Sequence, residues 1–585
     1  MKSRSELLQR LGGETPPDIL IVGGGINAVG LYRDLAAQGV PALLVEKGDF
    51  CSGTSAAPSR LIHGGLRYLE TGEFALVRES VEERNLLLQN APHYVRPLPV
   101  WVPVTSRWAG FLAAGARFLR LTRTPGPRGA LVLKLGLTVY DWFGAKYRSM
   151  PKHRMIGGKE ALRQMPGLLP AICSVGEFYD ARLTNAERLT LELVADAEAD
   201  CPASCAIPYL AVAGHDGKDV LLRDEIDGAV HRVAPKLVIN AAGAWIDQVD
   251  ACLGIEERLV GGTKGSHLVL DHPELARALG EKMIYFPTSD HRICLAYPLD
   301  ERLVLIGTTD LPTDDPEDMA CSEVEVDYLF RVMKEIMPGI RLNRAQIVFR
   351  YAGVRPLPKA TSGTVAGAIS RDHHIRPFAR TDHRPYDVLT LVGGKWTTYR
   401  ACAEQIADQV LQRIGKSRRT DTRSLKIGGG AGWPLEPAKQ RQQITEIARQ
   451  TGLSLEHCTA LADRYGAYAA TVAATIVAEG IGADRPLKTC ADYSRGEIRH
   501  LISAERPTRL ADLVLRRTQI GLLGKATPEL VAELADFMAQ SLAWTGDRRA
   551  REIVDTSRLL EQRHGVAGLH KRAKQDRADA KRPVS

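Results

Sequence analysis

The sequence predicts an α/β domain assembled from separated stretches of chain, an antiparallel β layer over it, and an all-α domain towards the C-terminus. Three observations predict this architecture. Residues 18–46 form a strand–glycine turn–helix–strand unit, two further buried-strand patterns lie far downstream, and a helical pattern continues to about residue 562. A chain of 585 residues is long enough for three or four units of domain size.

The first unit begins with the apolar run DILIV at 18–22, which is typical of a strand buried on both faces. Three glycines and a helical pattern follow, and a second apolar strand, ALLVE, lies at 42–46. Gly23, Gly25 and Ala28 match the pattern G-x-G-x-x-A between the strand and the helix. In this pattern the first glycine permits a tight turn, the second lets the backbone approach a diphosphate, and the small third residue lets helix and strand pack closely.

This unit predicts a dinucleotide-binding site. The helix N-terminus offers free N–H groups and a partial positive charge to phosphates. Glu46 ends the second strand, where a carboxylate is expected to bind the ribose hydroxyls. The segment CSGTSAAPSR at 51–60 is rich in small hydroxyl residues, which favours a long cofactor such as FAD over NAD without deciding between them.

The remaining organisation follows from composition along the chain. KLVIN at 236–240 and DVLTLVGG at 387–394 are further buried-strand patterns, and alternating segments such as RLVLIG at 302–307 predict an antiparallel sheet. The predicted domains are 18–95, 176–258 and 350–415 for the discontinuous α/β domain, 96–175 and 259–349 for the β layer, 416–434 for a glycine-rich linker, 435–562 for the helical domain, and 563–585 for a disordered, highly charged tail.

Bulk properties limit the class of protein. The formal net charge of +8 favours anionic partners, but no basic stripe interleaved with aromatic residues predicts nucleic-acid binding. The ten cysteines are scattered, so no metal site is expected and a reducing compartment is favoured. The N-terminus has no apolar signal region and no run is long enough to span a bilayer, which predicts a soluble or peripheral, cytoplasmic protein.

Longer motifs carry a more specific signal. They are SRLIHGGLRYLE (59–70), KGSHLVL (264–270), IGTTD (306–310), YAGVRPL (351–357), SRD (370–372), GGKWTTYR (393–400), RYG (464–466) and ERPTRLADLVLRRTQIGLL (505–523). In these motifs the chain resembles the FAD-dependent, aerobic, quinone-linked glycerol-3-phosphate dehydrogenases. The resemblance implies a Rossmann-like FAD-binding domain of the glycine-oxidase/D-amino-acid-oxidase type, an antiparallel β substrate cap and a C-terminal all-α domain. It also implies oxidation of sn-glycerol 3-phosphate to dihydroxyacetone phosphate, with hydride transfer to FAD and electrons passed to membrane quinone.

Such a reaction requires a hydride acceptor, a base for the hydroxyl proton and a grip on the phosphate. Arg67, Arg355 and Arg371, with Lys395, are the candidates for the phosphate, because guanidinium groups hold phosphate oxygens bidentately. Arg67 and Arg355 lie in glycine-containing, otherwise apolar motifs where an unpaired charge would be costly, and Arg355 is also expected to act in catalysis. Tyr68 is predicted to pack at the substrate pocket or, equally, in the core.

Two histidines compete as the base, since a histidine of near-neutral pKa is the usual choice for this step. His63 lies four residues before Arg67, and His267 lies in the KGSHLVL motif. The alternative for either is a hydrogen bond to the flavin or the backbone only, and the sequence does not choose between them.

The predicted cofactor contacts come from the glycine turn, the hydroxyl-rich segment and the turn after residue 392. Backbone N–H groups of that last turn are expected to stabilise negative charge on the reduced flavin ring. The cofactor-binding residues are predicted to be Gly23, Gly25, Ile26, Asn27, Ala28, Glu46, Thr54, Ser55, Gly64, Gly65, Gly243, Gly394, Lys395 and Thr397.

Several questions stay open at this point. Residues 107–128 predict a basic amphipathic helix that lies in an anionic membrane interface or packs on its own protein. In the first case the enzyme is peripheral on the cytoplasmic face of the inner membrane. A homodimer is the assembly considered, and the sequence leaves the oligomeric state open. The alternative functions are a glycerol-3-phosphate oxidase that uses O2, a flavin-dependent 2-hydroxy acid or amino acid dehydrogenase, and a flavin-containing nucleic-acid-binding protein, which no local feature supports.

Overall fold

The structure is a computed structural model that describes residues 2–13, 17–69, 72–109, 129–144, 150–290, 292–359, 373–480 and 482–569. The sheets, with helices between their strands, lie in the first two-thirds of this part of the chain, and the last third is helical. The longer helices are Arg4–Gly13, Ile26–Ala37, Phe74–Asn90, Ala130–Phe143, Gly158–Gln164, Ala186–Asp200, Ile246–Cys252, Pro273–Leu279, Glu323–Ile336, Tyr399–Arg413, Pro437–Thr451, Leu455–Tyr465, Ala469–Ala478, Arg495–Ala504, Pro528–Leu542 and Gly546–His564.

A six-stranded sheet contains all the apolar strands that the sequence predicts for the α/β domain. Its order is His374–Phe378, Asp387–Val392, Leu237–Asn240, Ile19–Val22, Leu43–Glu46 and Cys205–Pro208. Every neighbouring pair is parallel except the first, which is antiparallel. Parallel strands need cover on both faces, which explains why these strands are apolar throughout.

The two faces of this sheet are covered differently. One face packs against the helices Ile26–Ala37, Ala186–Asp200 and Tyr399–Arg413. The other face packs against the N-terminal helix Arg4–Gly13 and a small antiparallel sheet. The strands of that small sheet, which the sequence did not predict, are Leu210–Asp216, Asp219–Asp224 and Val230–Val233.

A ten-stranded sheet forms the antiparallel β layer, and strands such as Ser174–Leu183 and Ile347–Pro358 extend it into residues that the predicted boundaries assign to the α/β domain. Its main order is Leu311–Thr313, Val260–Asp271, Leu303–Gly307, Ile293–Pro298, Met283–Pro287, Val95–Val104, Ser174–Leu183 and Leu61–Ile62, and two further strands, Ile347–Pro358 and Arg154–Gly157, pair with Val260–Asp271 and Ser174–Leu183. The pairing of Met283–Pro287 with Val95–Val104 is parallel, and the others are antiparallel. The parallel pair joins the two sequence halves of the layer, which no hairpin connects.

The C-terminal domain is all-helical, as predicted, and its buried residues form one continuous apolar cluster with residues of the ten-stranded sheet. Side chains of Ser454, Ser494, Thr527 and Thr545 cap four of its helices by accepting a backbone N–H. These hydroxyl residues fix where the helices begin.

The predicted linker and the start of the predicted tail are more ordered than expected. In 416–434, Gly429 and Gly430 are buried so closely against the carbonyl oxygens of Tyr465 and Asn90 that no Cβ fits, so this stretch is a packed connection. In the predicted tail, the helix continues to His564 and Leu569 is buried, because apolar residues are still present there; residues 570–585 lie outside the described part.

Candidate active site

An open cavity of about 730 Å³ lies where the central parallel strands end. The carboxyl ends of such strands are the usual ligand side of an open α/β sheet. Of the residues predicted from the sequence to bind the cofactor, the following line this cavity: Gly23, Gly25, Ile26, Asn27, Glu46, Thr54, Ser55, Gly243 and Gly394.

The glycine turn leaves room for a diphosphate at the start of the helix Ile26–Ala37. Gly23 has φ +117°, and a Cβ there would lie 2.6 Å from the carbonyl oxygen of Ala241. Gly25 precedes the helix in an extended conformation and offers no side-chain cap. The buried Oδ1 of Asn27 has no hydrogen-bond partner among the described residues. A buried acceptor left unpaired is costly, so it fits a donor from a bound ligand and supports a dinucleotide site.

Two predicted residues of the cavity are already held by the protein. Glu46 accepts hydrogen bonds from the backbone N–H groups of Gly24 at 2.5 Å and Gly48 at 2.8 Å. Burial raises the pKa of Glu46, and these two bonds oppose that rise. The Ser55 hydroxyl accepts the N–H of Ile26 at 3.0 Å, so it orients the start of the helix.

The other predicted cofactor residues lie outside the cavity lining. Ala28 is fully buried in the helix packing, which agrees with its expected role as a small residue between helix and strand. Thr397 Oγ1 accepts the N–H of His63 at 3.2 Å. Lys395 Nζ donates to Ser80 Oγ at 2.9 Å and lies 5.4 Å from the centre of the Tyr68 ring. Lys395 and Tyr68, both predicted to bind substrate, are therefore neighbours.

His267 and Arg355 share one face of the ten-stranded sheet. On the adjacent strands Val260–Asp271 and Ile347–Pro358, Thr263 lies opposite Arg355, and His267 lies opposite Tyr351. Residues that alternate along a strand, and residues directly opposed across a pair, point to the same face. The structure thus brings together two of the side chains that the sequence singled out.

Glycines clear this face for the two side chains. A Cβ on Gly265 would overlap the Arg355 guanidinium, and a Cβ on Gly307 would overlap the His267 ring. A Cβ on Gly353 would lie 2.7 Å from Ala57 Cβ, in the hydroxyl-rich segment packed above the same face. The absence of side chains at these positions therefore defines the space in which the charged and ring groups lie.

His267 is buried, and its ring stacks on Tyr351 with centroids 4.8 Å apart. Its Nε2 is 2.8 Å from Ser59 Oγ, and its Nδ1 has no hydrogen-bond partner among the described residues. Burial, followed by the positive charges of Arg355 and Arg60, lowers the pKa of His267 to about 3. The imidazole is therefore neutral at pH 7.

Arg355 is partly exposed, and its guanidinium is held by residues that follow the strand Leu303–Gly307. It donates to Asp310 Oδ1 at 3.0 Å and to Thr308 Oγ1 at 3.1 Å. Of the two other arginines predicted to bind the phosphate, Arg371 lies outside the described residues, as does the side chain of Arg67.

Sequence reasoning missed the partners of these side chains. Ser59 begins the motif SRLIHGGLRYLE, and Thr308 and Asp310 belong to the motif IGTTD, but neither motif predicts which side chains these residues contact. The signal was present, since polar residues beside a glycine in an apolar strand need partners. Several arginines of the helical domain also line the cavity and were not predicted to do so: Arg509, Arg516 and Arg563.

An exposed apolar face lies on the helix Ala130–Phe143, and we call it the apolar face. It consists of Leu131, Leu135 and Trp142, with Trp108 beside it, and Trp108 and Trp142 are each 73% exposed. Backbone hydrogen bonds from residues 129–131 to 106–109 hold Trp108 close to the start of the helix. Most of the predicted amphipathic segment, 110–128, lies outside the described residues. Within the described ranges, none of the helices has the length and apolarity needed to cross a bilayer.

Comparisons with known proteins agree over nearly the whole chain. Residues 18–409 match the family described as FAD dependent oxidoreductase, and residues 420–549 match the C-terminal domain of alpha-glycerophosphate oxidase. A glycerol-3-phosphate dehydrogenase from Synechocystis is 32% identical, covering 94% of this chain and 97% of that protein. One from Pseudomonas tolaasii is 30% identical, covering 91% and 96%.

A solved structure supports the same fold. The glycerol-3-phosphate dehydrogenase from Bacillus halodurans, complexed with FAD, has a TM-score of 0.73 at 23% identity and covers 96% of this chain and 98% of its own. The L-alpha-glycerophosphate oxidase from Mycoplasma pneumoniae has a TM-score of 0.50 and covers 70% of this chain and 98% of its own. The predicted fold class is confirmed.

Proposed function

This chain belongs to the family of FAD-dependent glycerol-3-phosphate dehydrogenases, and we propose on that premise that it oxidises sn-glycerol 3-phosphate to dihydroxyacetone phosphate and passes the electrons to a membrane quinone. Its cofactor is FAD, which accepts the hydride when bound. The glycine turn and the N–H groups at the start of the helix Ile26–Ala37 would hold its diphosphate, and the buried Asn27 Oδ1 would accept a hydrogen bond from a donor group of the cofactor.

The observation that carries this proposal is the pair His267 and Arg355 on a glycine-cleared face of the substrate cap. His267 is neutral at pH 7 and can accept a proton from the substrate hydroxyl, but its pKa of about 3, in place of the near-neutral value expected from the sequence, makes it a weak base in the absence of substrate. Arg355 would bind the substrate phosphate. A bound dianion would offset the Arg355 charge, which is one cause of the low pKa of His267, and the base would therefore strengthen when substrate is present.

Other predicted residues complete the proposal. Arg67, Arg371 and Lys395 would share the phosphate charge, with Tyr68 beside Lys395. His63 is the competing base, and its backbone N–H is fixed by Thr397. Ser59, which bonds His267 Nε2, would orient the imidazole.

Anaerobic titration of the purified holoenzyme with glycerol 3-phosphate, followed by the visible absorption of the flavin, tests this function. Bleaching by glycerol 3-phosphate, but not by glycerol or lactate, is the expected outcome. Bleaching by lactate or by an amino acid instead would support the alternative dehydrogenase. A flavin that stays oxidised with glycerol 3-phosphate would disprove the substrate assignment.

Quinone as the electron acceptor is supported by the apolar face. A cluster of exposed tryptophan and leucine side chains on a folded protein is typical of a membrane or protein contact. Exposed Arg107 and Lys134 lie next to these residues in the chain, and the formal net charge is +8, so an anionic membrane surface fits best. The enzyme would then lie on the cytoplasmic face of the inner membrane, near its quinone.

A second candidate is an oxidase that reduces O2 to hydrogen peroxide, because residues 420–549 match a domain described from alpha-glycerophosphate oxidase. The dehydrogenase and the oxidase are distinguished by mixing substrate-reduced enzyme with a short-chain quinone or with air-saturated buffer and measuring the rate of flavin reoxidation. Reoxidation that is much faster with quinone supports the dehydrogenase. Fast reoxidation in air with stoichiometric hydrogen peroxide supports the oxidase.

A further inference from the structure

Asp180, Arg84 and Tyr140 form a buried polar cluster beside the turn His63–Gly64–Gly65. Arg84 Nη1 donates to Asp180 Oδ1 at 2.8 Å, and the Tyr140 hydroxyl donates to the same oxygen at 2.6 Å. The three residues are 3–5% exposed. Burial raises the pKa of Tyr140 well above its ordinary value, so the hydroxyl keeps its proton and remains a donor.

The cluster holds the backbone of the turn. Gly64 N–H donates to the Tyr140 hydroxyl oxygen at 2.9 Å and to Asp180 Oδ1 at 3.1 Å. A Cβ on Gly64 would overlap that hydroxyl, so only glycine allows so close an approach. The preceding N–H, of His63, donates to Thr397 Oγ1 at 3.2 Å. Two consecutive amides are therefore fixed by groups from different parts of the fold.

The cluster is assembled from three elements. Asp180 lies on the strand Ser174–Leu183, Arg84 on the helix Phe74–Asn90, and Tyr140 on the helix Ala130–Phe143. Burying an arginine–carboxylate pair costs free energy unless its hydrogen bonds have good geometry. Here Arg84 and Tyr140 both donate to Asp180 Oδ1, which gives the pair that geometry. The position of the turn is thereby set by the packing of the cap, and not by the turn sequence alone.

We propose that Asp180 and Tyr140 are positioning residues for substrate oxidation: they fix the turn that carries His63 and leads into the short helix Leu66–Leu69, which carries Tyr68. This rests on the proposed function, because His63 is a candidate base and Tyr68 a candidate substrate-binding residue. A displacement of about 1 Å in such groups lowers the rate of a reaction that depends on alignment by up to about a hundredfold.

The test compares holoenzyme variants Tyr140→Phe and Asp180→Asn with Tyr386→Phe. Tyr386 is an equally buried tyrosine whose hydroxyl has no hydrogen-bond partner among the described residues, so it is a matched control. Two quantities are measured: amide hydrogen exchange of peptides covering residues 59–69, and the rate of flavin reduction by glycerol 3-phosphate in anaerobic stopped flow.

We expect faster exchange in that peptide and about tenfold slower flavin reduction in Tyr140→Phe, with unchanged FAD content, and neither change in Tyr386→Phe. Exchange and reduction equal to those of Tyr386→Phe would overturn the proposal. If Asp180→Asn does not fold, Tyr140→Phe decides alone. If wild-type flavin is not reduced by glycerol 3-phosphate, the substrate assignment fails, and the exchange measurement alone decides whether the turn is held as proposed.

Discussion

At the scale of single residues, the site depends on glycines, whose lack of a Cβ leaves room for neighbouring side chains. Gly265 lies beneath the Arg355 guanidinium, and Gly265→Ala would force that group to move. A shifted guanidinium would bind the substrate and the transition state more weakly by a similar amount. We therefore expect KM for glycerol 3-phosphate to rise about tenfold with little change in kcat. Steady-state kinetics with a quinone acceptor measure this, and FAD content should be unchanged.

The same strand offers a matched control. At Gly261 the nearest atom to an added Cβ is Lys359 Cα at 3.6 Å, an ordinary contact. Gly261→Ala should therefore leave KM unchanged. Equal effects of the two substitutions would mean that the strand, and not the guanidinium, limits substrate binding.

The buried His267 predicts an acid sensitivity. Its folded pKa is about 3, against 6.5 for an ordinary histidine, so between these values the unfolded chain binds a proton that the folded chain does not. Stability therefore falls as pH drops from about 6.5 towards 3, with a slope contribution of about 1.4 kcal/mol per pH unit. His267→Asn should show a shallower decrease of Tm over this range than wild type. His564, whose pKa is also lowered to about 3, adds the same dependence in both proteins.

At the scale of elements, the strand–glycine–helix–strand unit was predicted from local signals: two apolar strands, the glycine turn between strand and helix, and the helical pattern that follows at once. The structure confirms this order of elements and gives Gly23 a positive φ. The three-stranded sheet at 210–233 was missed, because its strands are short and two of them, Leu210–Asp216 and Val230–Val233, are mostly not buried, so their sequences carry little of the pattern of a buried strand. The pairing of His267 with Ser59 was missed for another reason. Those residues lie 208 positions apart in the sequence, and only the folded structure brings them together.

The loop after the strand Leu43–Glu46 is tied to the helical domain by ion pairs. Asp49 accepts hydrogen bonds from Arg516 Nε at 2.6 Å and from Arg517 Nη2 at 3.1 Å, and all three residues are buried. Burial alone would raise the pKa of Asp49, but the charges of Arg517 and Arg516 hold it below its usual value. This contact joins a loop that lines the cofactor cavity to the C-terminal domain.

Asp49→Asn should therefore destabilise the protein strongly. The two buried guanidinium groups would lose their shared counter-charge, and removal of one partner of a buried pair typically costs about 3–5 kcal/mol. Thermal unfolding of the holoenzyme measures the fall in Tm. Glu436→Gln, which removes an exposed partner of Lys439, is the control and should change Tm little. A similar Tm for both variants would contradict a structural role for this cluster.

At the scale of the whole molecule, one helix connects the turn beside the proposed substrate site to the exposed apolar face. The helix Ala130–Phe143 directs Tyr140 inward to the turn at Gly64 and directs the apolar face outward. A dehydrogenase that passes electrons to a membrane quinone must approach the bilayer with its flavin side in a fixed orientation. The apolar face and Tyr140 share this helix, so a membrane contact at the face would be linked to the turn at Gly64 through a single element, and the sequence of 110–128 contains four arginines.

Membrane docking can be tested by removing the apolar face. The variant Leu131→Gln/Leu135→Gln/Trp142→Gln should bind vesicles of anionic lipid at least about tenfold more weakly than wild type, because each exposed apolar side chain that enters the interface contributes roughly 1–2 kcal/mol. Co-sedimentation measures this binding. Val230→Gln/Val324→Gln/Leu455→Gln, which removes equally exposed apolar residues elsewhere, is the matched control and should bind as wild type does. Flavin reduction by substrate should be unchanged in both, since only the electron acceptor is in the membrane. If the first variant binds vesicles like the control, the apolar face contacts something other than lipid, and the support for a membrane quinone as acceptor is lost with it.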